Sequence, residues 1–579
     1  MLTCVWDFDV EKTKDGYKVI KLKKESKSIY IGSKYNMQNE IDKFLDKLKE
    51  KVKNADKSVF VIYGFGNGEH IKALRSEFKK NKIIVFEPNI NLLNFASNLE
   101  YVRNDENIKI ICCEQSRFID EFCFGISESN INMIELDCFS NYSVIYKEEY
   151  KEFLKAFEFL IKNLISNKFT ALLYSKLHFD SLLHNLRYVF DGTPIYEYKN
   201  MYKNKPAIIV SAGPSLDKNI KELINADGKM LILSSTRTLN GIMDLGIQPN
   251  LLVALDPRDN TFNIMKKSVD IYNGPLLFYE GTNKLVVSNH NGDKIFYTKS
   301  KFINNIMENR MPEIVDDGTV AIIMMDFAIL SGCNPIIFIG QDLAYTGNNE
   351  HAMIAENKID KGKNKLLKED IYVDGINNEK IKTSIILNGF RLNIEKLIED
   401  NPEIDFINAT EGGARIKGTK EMTLKEVIKH YNNVKLDPIK KINCNIDIKK
   451  NTLEQLKIAK TISKEIINLC NSCLTNLEQL KEAHEDKNNE KVSNILGVLQ
   501  KSDEYIEKNY EKIELIESLL IPVSFNILEK NNNIDDAEYK SEIEMIYYQS
   551  YQLYSGFIDT LNYALKPICE LIAELSRQK

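Results

Sequence analysis

The segment at residues 206–217 constrains the fold of this chain more than any other. Its four apolar residues, Ala207-Ile-Ile-Val210, predict a short buried strand that ends at a loop of small residues, before a polar helical segment begins. A strand, a tight turn and a helix start in this order are typical of α/β folds. The loop contains Gly213, which lets a ligand approach the backbone, and N–H groups at a helix start favour an anion such as phosphate. An ordinary strand-to-helix turn with a serine cap has the same pattern, so the loop alone leaves both interpretations open.

Length, charge and hydropathy exclude several classes of protein. The chain has 579 residues, which is too many for a single core, and typical domain sizes suggest about three or four units. Its 77 basic and 83 acidic residues give a net charge of −6, so it lacks the basic character of a nucleic-acid binder. No apolar run is long enough to span a membrane, and residues 1–9 lack the pattern of a signal peptide. We therefore expect a cytoplasmic protein with neither a nucleic-acid partner nor a membrane span.

Changes in sequence pattern predict four regions in an α/β protein. Residues 1–140 alternate helical and strand patterns and predict an N-terminal Rossmann-like domain, and residues 141–190 are helical by period and predict a connector. Residues 191–437 contain the opening strand and several more, which predicts a central Rossmann-like domain. Residues 438–579 hold only long amphipathic stretches and predict an all-α domain, in which Pro522 marks a turn.

Polar residues follow the strands that are predicted in the central region. These strands lie at residues 231–233, 251–255, 276–279, 336–339 and 404–407. Because open parallel sheets bind ligands at the carboxyl ends of their strands, we expect the polar residues to contribute to one site. The segments 340–352 and 408–415 are the richest in glycine and polar side chains, whereas residues 353–382 lack periodicity and predict a lid or a disordered loop.

A second glycine-rich turn lies in the N-terminal region. Residues 64–68, Gly-Phe-Gly-Asn-Gly, follow a predicted strand, and the next predicted strand ends at Glu87. This spacing resembles the first two motifs of S-adenosylmethionine-dependent methyltransferases, in which the acidic residue binds the ribose of the cofactor. No catalytic motif follows the next strands, so a turn kept for packing is the other interpretation.

Five motifs in a fixed order resemble those of the motility-associated factor (Maf) proteins, a family of flagellin glycosyltransferases. They are Ile208-Ile-Val-Ser-Ala-Gly-Pro-Ser-Leu216, Leu255-Asp-Pro257, Asp317-Gly-Thr-Val320, Gly340-Gln-Asp-Leu-Ala-Tyr-Thr346 with His351-Ala352, and Asn408-Ala-Thr-Glu-Gly-Gly-Ala414. The flanking α/β and all-α regions also fit the layout of that family. The resemblance implies transfer of a nonulosonic acid, pseudaminic or legionaminic acid, from its CMP-activated form to serine or threonine hydroxyls of flagellin.

The central region is also similar to bacterial CMP-sialic acid sialyltransferases. In those enzymes the Gly-Pro-Ser loop binds the nucleotide, and tyrosines beyond a Gly-x-Asp turn hold the leaving phosphate. Carried over to this chain, the two resemblances imply a nucleotide and sugar pocket lined by Ser211, Gly213, Pro214, Ser215, Ser235, Thr236, Asp256, Gly318, Thr319 and Gln341. They place Tyr345 beside the phosphate.

The implied reaction needs a group that deprotonates the acceptor hydroxyl. A histidine or a carboxylate suits this task. His351 is one of 7 histidines and follows the Gly-Gln-Asp turn, although a solvated loop histidine has the same pattern. The sialyltransferases carry their base histidine on a lid, and the comparable segment 371–383 contains none. The base is therefore left open between His351, Asp342, Asp374 and Glu411.

The sequence predicts no metal site and no tightly bound cofactor. No Asp-x-Asp motif stands at a strand end, and Cys470 and Cys473 lie on an apolar helical seam that favours core packing over zinc or redox chemistry. Magnesium and a homo-oligomeric state are left open. Two other classes of function also remain: a nucleotide-dependent enzyme, since the central region resembles archaeal pterin pyrophosphokinases, and a non-catalytic flagellin-binding factor.

Overall fold

The computed structural model describes residues 3–24, 27–52, 57–113, 117–122, 124–314, 318–346, 351–355, 371–431, 435–533 and 542–577. The chain divides into two compact units, Met1–Thr170 and Ala171–Lys579. Both units combine helices with a parallel sheet, so the predicted α/β class is confirmed. The finer division into four regions stays a prediction.

The described residues of the N-terminal unit form one antiparallel and one parallel sheet, in the orders β1-β2-β3 and β6-β5-β4-β7. Its strands are β1 (Asp7–Lys12), β2 (Lys18–Lys24), β3 (Lys27–Ile31), β4 (Val59–Tyr63), β5 (Ile83–Phe86), β6 (Ile108–Ile111) and β7 (Ile134–Cys138). Its helices are α1 (Met37–Lys51), α2 (Glu69–Glu77), α3 (Ile90–Ser97), α4 (Glu100–Arg103), α5 (Phe118–Phe122), α6 (Tyr142–Ile145) and α7 (Lys147–Phe190), the last of which continues into the C-terminal unit.

The antiparallel sheet was not predicted, because its strands are rich in lysine. In β2, for example, the side chains of Val19, Ile20 and Leu22 are buried, whereas Lys18 and Lys23 are exposed. Each strand therefore contributes only a few apolar residues to the core, and the local hydrophobic signal is weak.

The C-terminal unit contains a nine-stranded parallel sheet among its described residues, in the order β18-β17-β14-β9-β10-β11-β12-β13-β8. Its strands are β8 (Thr193–Pro194), β9 (Ala207–Val210), β10 (Leu231–Ser235), β11 (Leu251–Val253), β12 (Leu276–Phe278), β13 (Lys294–Phe296), β14 (Ile336–Ile339), β17 (Phe406–Asn408) and β18 (Lys420–Glu421), with an antiparallel hairpin of β15 (Ile371–Asp374) and β16 (Lys380–Thr383).

A group of long helices, α17 to α20, lies at the carboxyl end of the chain. The helices of this unit are α8 (Leu216–Asn219), α9 (Leu223–Ala226), α10 (Thr236–Asp244), α11 (Asp259–Met265), α12 (Lys284–Asn289), α13 (Lys301–Ile306), α14 (Val320–Leu330), α15 (Ile385–Glu399), α16 (Leu424–His430), α17 (Ile448–Glu485), α18 (Asn489–Asn509), α19 (Glu517–Asn533) and α20 (Glu542–Arg577). Pro522 lies inside α19, so the prediction of a turn there was wrong. Cys470 and Cys473 are fully buried in α17, as core packing predicted.

The sheet is covered on both faces, which explains why its strands are apolar throughout. Ala207 and Ile209 of β9 pack in the same core cluster as α14, whereas Ile208 and Val210 pack with Leu216 of α8 on the other face. A parallel strand that is buried on both sides reads as a continuous apolar run. The predicted strands of this unit are confirmed for that reason, with ends that shift by up to two residues.

The strand order reverses between β9 and β14. From β9 the chain adds β10 to β13 along one side of the sheet and then crosses to place β14 on the other side of β9. Ligands of open α/β sheets bind in the crevice at such a switch point, outside the carboxyl ends of the strands. The loops after β9 and β14 therefore border the position where a ligand site is expected.

Candidate functional site

The loops after β9 and β14 are joined by hydrogen bonds at the switch point. The backbone N–H of Gly213 donates to the carbonyl oxygen of Gly340 at 2.7 Å. The hydroxyl of Ser211 donates to the side-chain oxygen of Gln341. Two segments that both resemble the family motifs are therefore held as one structure.

The carboxylate of Asp342 is the centre of this structure. It accepts the hydroxyl of Ser215 at 2.6 Å, the backbone N–H of Ser215 at 3.1 Å and the hydroxyl of Thr346 at 2.5 Å. Asp342 is only 1% exposed, and burial raises the pKa of its carboxyl, which the hydrogen bonds from Ser215 and Thr346 only partly offset. The Ser215 donors, which the resemblance placed in the nucleotide pocket, are used by Asp342 in this structure.

Glycines are required where these loops approach each other. A Cβ atom on Gly213 would lie 2.2 Å from Oδ1 of Asp342 and 2.5 Å from the carbonyl oxygen of Gly340. Gly340 and Gly413 have φ of +61° and +82°, and a Cβ on Gly413 would lie 2.4 Å from the backbone of Asp342. The glycines thus permit contact between three strand ends, those of β9, β14 and β17.

Glu411 supports the site from the loop after β17. Its carboxylate accepts the side-chain amide of Asn219 and the backbone N–H of Leu424, both at 3.1 Å, and so adds to the Thr423 cap at the start of α16. The ammonium group of Lys218 donates to the carbonyl oxygen of Glu411 at 2.9 Å. Lys218 also brings a positive charge that acts on Asp342.

The hairpin of β15 and β16 packs on the same loops. The N–H of Tyr345 donates to the carbonyl oxygen of Lys382 at 2.9 Å. The hydroxyl of Thr383 donates to the carbonyl oxygen of Leu343 at 2.7 Å. Asp374, a candidate base, is exposed and forms an ion pair with Lys380 at 2.7 Å. The predicted lid thus contains an ordered hairpin at 371–383, and residues 356–370 of the predicted loop lie outside the described residues.

His351 lies in a short segment that is bonded to the Gly213 loop. The next residue, Ala352, donates its N–H to the carbonyl oxygen of Ala212 at 2.9 Å, and the N–H of Met353 donates to the carboxylate of Asp217 at 2.7 Å. His351 itself is half-buried. The structure thus brings the predicted histidine to the same edge as Ser211, Gly213, Pro214 and Ser215.

Other predicted residues lie at the same edge of the sheet but have separate partners. Ser235 caps α10 by bonding with Thr238, and Thr236 is the first residue of that helix. Asp256, after β11, forms an ion pair with Arg258. Gly318 and Thr319 precede α14, of which Thr319 is the N-cap residue. All of them follow or face carboxyl ends of parallel strands.

The sequence prediction missed several residues of the site. Thr346, Lys218 and Asn219 were not selected, although Thr346 lies within the Gly340 motif and Lys218 follows the Gly-Pro-Ser loop. Their position next to motif residues in the sequence is the feature that indicates them. Within the described ranges, no group of three or more histidine, cysteine or acidic side chains is placed to hold a metal ion.

The N-terminal glycine turn is filled by a tyrosine. The carboxylate of Glu87 accepts the hydroxyl of Tyr142 at 2.6 Å and the N–H of Phe65 at 2.9 Å, and the N–H of Gly66 donates to Tyr142 at 2.6 Å. A Cβ on Gly64 would lie 2.4 Å from the Tyr142 ring. Burial raises the pKa of Glu87 to about 7. These contacts favour the packing interpretation of this turn.

The similarities to known proteins agree with the observed fold. Residues 180–348 match the model of the family described as 6-hydroxymethylpterin diphosphokinase MptE-like. No curated protein matches the sequence. Among the helices of the described ranges, none combines the length and apolar character needed to cross a membrane. The structure of the Maf glycosyltransferase from Magnetospirillum magneticum AMB-1 aligns over 99% of this chain and 95% of its own, with a TM-score of 0.50 and 14% sequence identity. In fold, this chain is therefore similar to a Maf glycosyltransferase over nearly its whole length.

Proposed function

We propose that this protein is a glycosyltransferase that moves a nonulosonic acid, of the pseudaminic or legionaminic type, from its CMP-activated form to serine or threonine hydroxyls of flagellin in the cytoplasm. One observation carries the proposal: at the switch point of the sheet, the Gly-Pro-Ser loop and the Gly-Gln-Asp turn are held together through Asp342 and Ser215. A ligand crevice of this kind suits a nucleotide. The fold similarity to a Maf glycosyltransferase supports the reaction class.

The transfer requires two things of the site. The departing CMP phosphate needs hydrogen-bond donors or positive charge, and the acceptor hydroxyl needs a proton acceptor while the bond to the anomeric carbon forms. For the first task this chain offers Lys218 and Tyr345 beside the crevice. For the second it offers His351, whose segment is bonded to the Gly213 loop.

Asp342 and Glu411 suit a different role from the base. Both carboxylates already accept hydrogen bonds from protein groups, Asp342 from Ser215 and Thr346, and Glu411 from Asn219 and Leu424. An acceptor hydroxyl would have to displace these protein donors before it could give its proton to either carboxylate. We therefore treat both as positioning residues that hold the loops in place.

A second candidate function has a specific observation in its favour. The match of residues 180–348 to an MptE-like family is to proteins named as diphosphokinases, which suggests that the same crevice could take ATP and transfer diphosphate. The two candidates differ in the nucleotide that they require. Isothermal titration of the purified chain with CMP and with ATP separates them, and preferential binding of ATP would overturn the transferase proposal.

The decisive experiment is transfer to a protein acceptor. The purified chain is incubated with flagellin and either CMP-pseudaminic or CMP-legionaminic acid, and the intact mass of flagellin is measured. The proposal requires a mass increase equal to one or more sugar residues. An unchanged mass, together with a stable complex between the chain and flagellin, would support the non-catalytic binding factor instead.

A further inference from the structure

A buried acidic side chain, Glu280, lies after β12 and takes no part in the site described above. It is 6% exposed, its Oε1 atom accepts the backbone N–H of Lys299 at 3.1 Å, and the hydroxyl of Thr298 also donates to its carboxyl group. Its other oxygen, Oε2, is buried and has no hydrogen-bond partner among the described residues. A buried acceptor that is left unpaired destabilises the folded state, and a charged one does so more strongly, so this atom requires an explanation.

A second unpaired polar atom belongs to the neighbouring strand. The hydroxyl oxygen of Tyr297, directly after β13, is also buried without a partner in the described part of the chain. The two residues are close enough for the charge of Glu280 to act on Tyr297, whose pKa is raised by burial and by nearby acidic groups. One carboxylate oxygen and one phenol thus remain unsatisfied at the ends of adjacent strands.

Aromatic rings and a cation lie around these two atoms, and both tyrosines are buried, with Tyr279 at 7% and Tyr297 at 1% exposure. The ring of Tyr279 stacks on that of Tyr297 at 5.7 Å between centroids, and the Lys299 ammonium lies 4.8 Å from the Tyr279 ring centre. The ring of His178 lies 6.5 Å from the same Tyr279 ring. We call Glu280, Tyr297, Tyr279, Lys299 and His178 the Glu280 cluster.

The Glu280 cluster lies on the same edge of the sheet as the nucleotide crevice. Glu280 follows β12, which is three strands from β9 in the sheet, or about 14 Å at a strand spacing of about 4.8 Å. The intervening strand ends carry Ser235 and Asp256. A ligand laid along this edge could therefore have its phosphate at Gly213 and its far end at Glu280.

The chemistry of the Glu280 cluster defines what it could bind. An unpaired carboxylate oxygen accepts O–H or amide N–H groups, a phenol both donates and accepts, and an aromatic face packs against a sugar ring. These are the groups of a polyhydroxylated, N-acylated sugar. We infer that the Glu280 cluster is the subsite that binds the hydroxyl and amide groups of the sugar half of the donor. This inference rests on the proposed function and deepens it.

The test separates binding of the sugar from binding of the nucleotide. CMP alone, CMP-pseudaminic acid and CMP-legionaminic acid are each titrated into the wild type, Glu280→Gln and Tyr297→Phe, with Glu395→Gln as a control. Glu395 is similarly buried, at 4% exposure, but its carboxylate is held by Arg391 and the N–H of Lys417. We expect each cluster variant to lose about tenfold or more in affinity for a CMP-sugar, while its affinity for CMP stays within about twofold of the wild type.

Several results would overturn the inference. Unchanged affinity of both cluster variants for the CMP-sugars would show that the unpaired atoms serve only internal packing or a buried water. An equal loss of affinity for CMP and for the CMP-sugars would show a general structural effect. If Glu280→Gln does not fold, as judged by thermal unfolding, Tyr297→Phe alone decides. Failure of the wild type to bind CMP would instead contradict the proposed function itself.

Discussion

The carboxylate of Asp342 accepts both the backbone N–H and the hydroxyl of Ser215, a residue 127 positions away in the chain. This contact joins the loop after β9 to the loop after β14 at the switch point of the sheet. Because the same carboxylate also accepts the hydroxyl of Thr346, three donors converge on one buried group. Asp342 therefore determines the shape of the crevice in which the donor nucleotide is proposed to bind.

Replacing Asp342 with asparagine should abolish transfer while leaving the protein folded. The amide presents a donor where Ser215 and Thr346 also present donors, so at least one buried bond is lost, at a cost of about 1–3 kcal/mol. Intact-mass analysis of flagellin measures transfer, and thermal unfolding measures stability. Thr346→Ala, which removes one donor and keeps the carboxylate, should reduce transfer less. Full activity of Asp342→Asn would contradict the role given to this residue.

Replacing Gly213 with alanine should also abolish transfer, for a steric reason. The new Cβ would lie 2.2 Å from the Asp342 carboxylate, so the two loops must separate. We expect the affinity for CMP to fall by about tenfold or more. Gly497→Ala is the matched control, because apart from its own helix no atom of the described residues lies within 4 Å of its Cβ position in α18. That control should keep CMP binding and gain about 0.5–1 kcal/mol in stability. Equal CMP affinity in the two variants would rule out the steric argument.

The sequence predicted the central strands well, because each carries its own local signal. Ala207–Val210 and Ile336–Ile339 are continuous apolar runs, and both are strands with these bounds. The hairpin of β15 and β16 has no such signal, since its residues are mostly half-buried or exposed. Its contacts with Leu343 and with the loop after β17 connect residues that are distant in sequence, which periodicity does not report.

The candidate site was predicted in position but not in its internal contacts. The motifs placed Ser215 and Asp342 at the carboxyl edge of the sheet, yet the bond between their side chains is a property of the folded chain. Glu280 directly follows the predicted strand 276–279, so the sequence indicates a polar residue at a strand end. The sequence does not indicate that one of its oxygens is unpaired, because burial of that atom depends on neighbouring elements such as β13.

Glu411→Gln distinguishes a positioning role from that of a base. Glutamine keeps an oxygen that can accept the amide of Asn219 and the N–H of Leu424, so both bonds can form. We expect the transfer rate to stay within about threefold of the wild type and its pH profile to keep its shape. Glu411→Ala removes the acceptor of the Asn219 amide and of the Leu424 N–H, while the Thr423 cap of α16 stays in place, and should lower stability by about 1–3 kcal/mol. A lost basic limb in the pH profile of Glu411→Gln would instead identify Glu411 as the base.

The buried carboxyl of Glu87 should make the stability of the N-terminal unit depend on pH. Burial raises its pKa from 4.5 to about 7, so the folded state binds this proton more tightly than the unfolded state does. The contribution of the protonated Glu87 carboxyl to the free energy of unfolding is therefore fully present below pH 4.5 and is lost as the pH rises through 7. The shift corresponds to a change on the order of 3 kcal/mol over this range. His70, buried in the same unit, acts in the opposite direction, because burial lowers its pKa to about 3.

Glu87→Gln separates the effect of the Glu87 carboxyl on stability from the opposing effect of His70. The variant removes the titration of Glu87, which lowers the free energy of unfolding as the pH rises, and keeps that of His70, which raises it. Its free energy of unfolding should therefore rise between pH 4.5 and 7 relative to that of the wild type. The chain has a single tryptophan, Trp6, which stacks on Tyr146 in the N-terminal unit, so its fluorescence during urea unfolding reports on this unit. Glu77→Gln is the control, because Glu77 is largely exposed in an ion pair with Lys49. Parallel pH curves for Glu87→Gln and the wild type would show that Glu87 does not titrate in this range.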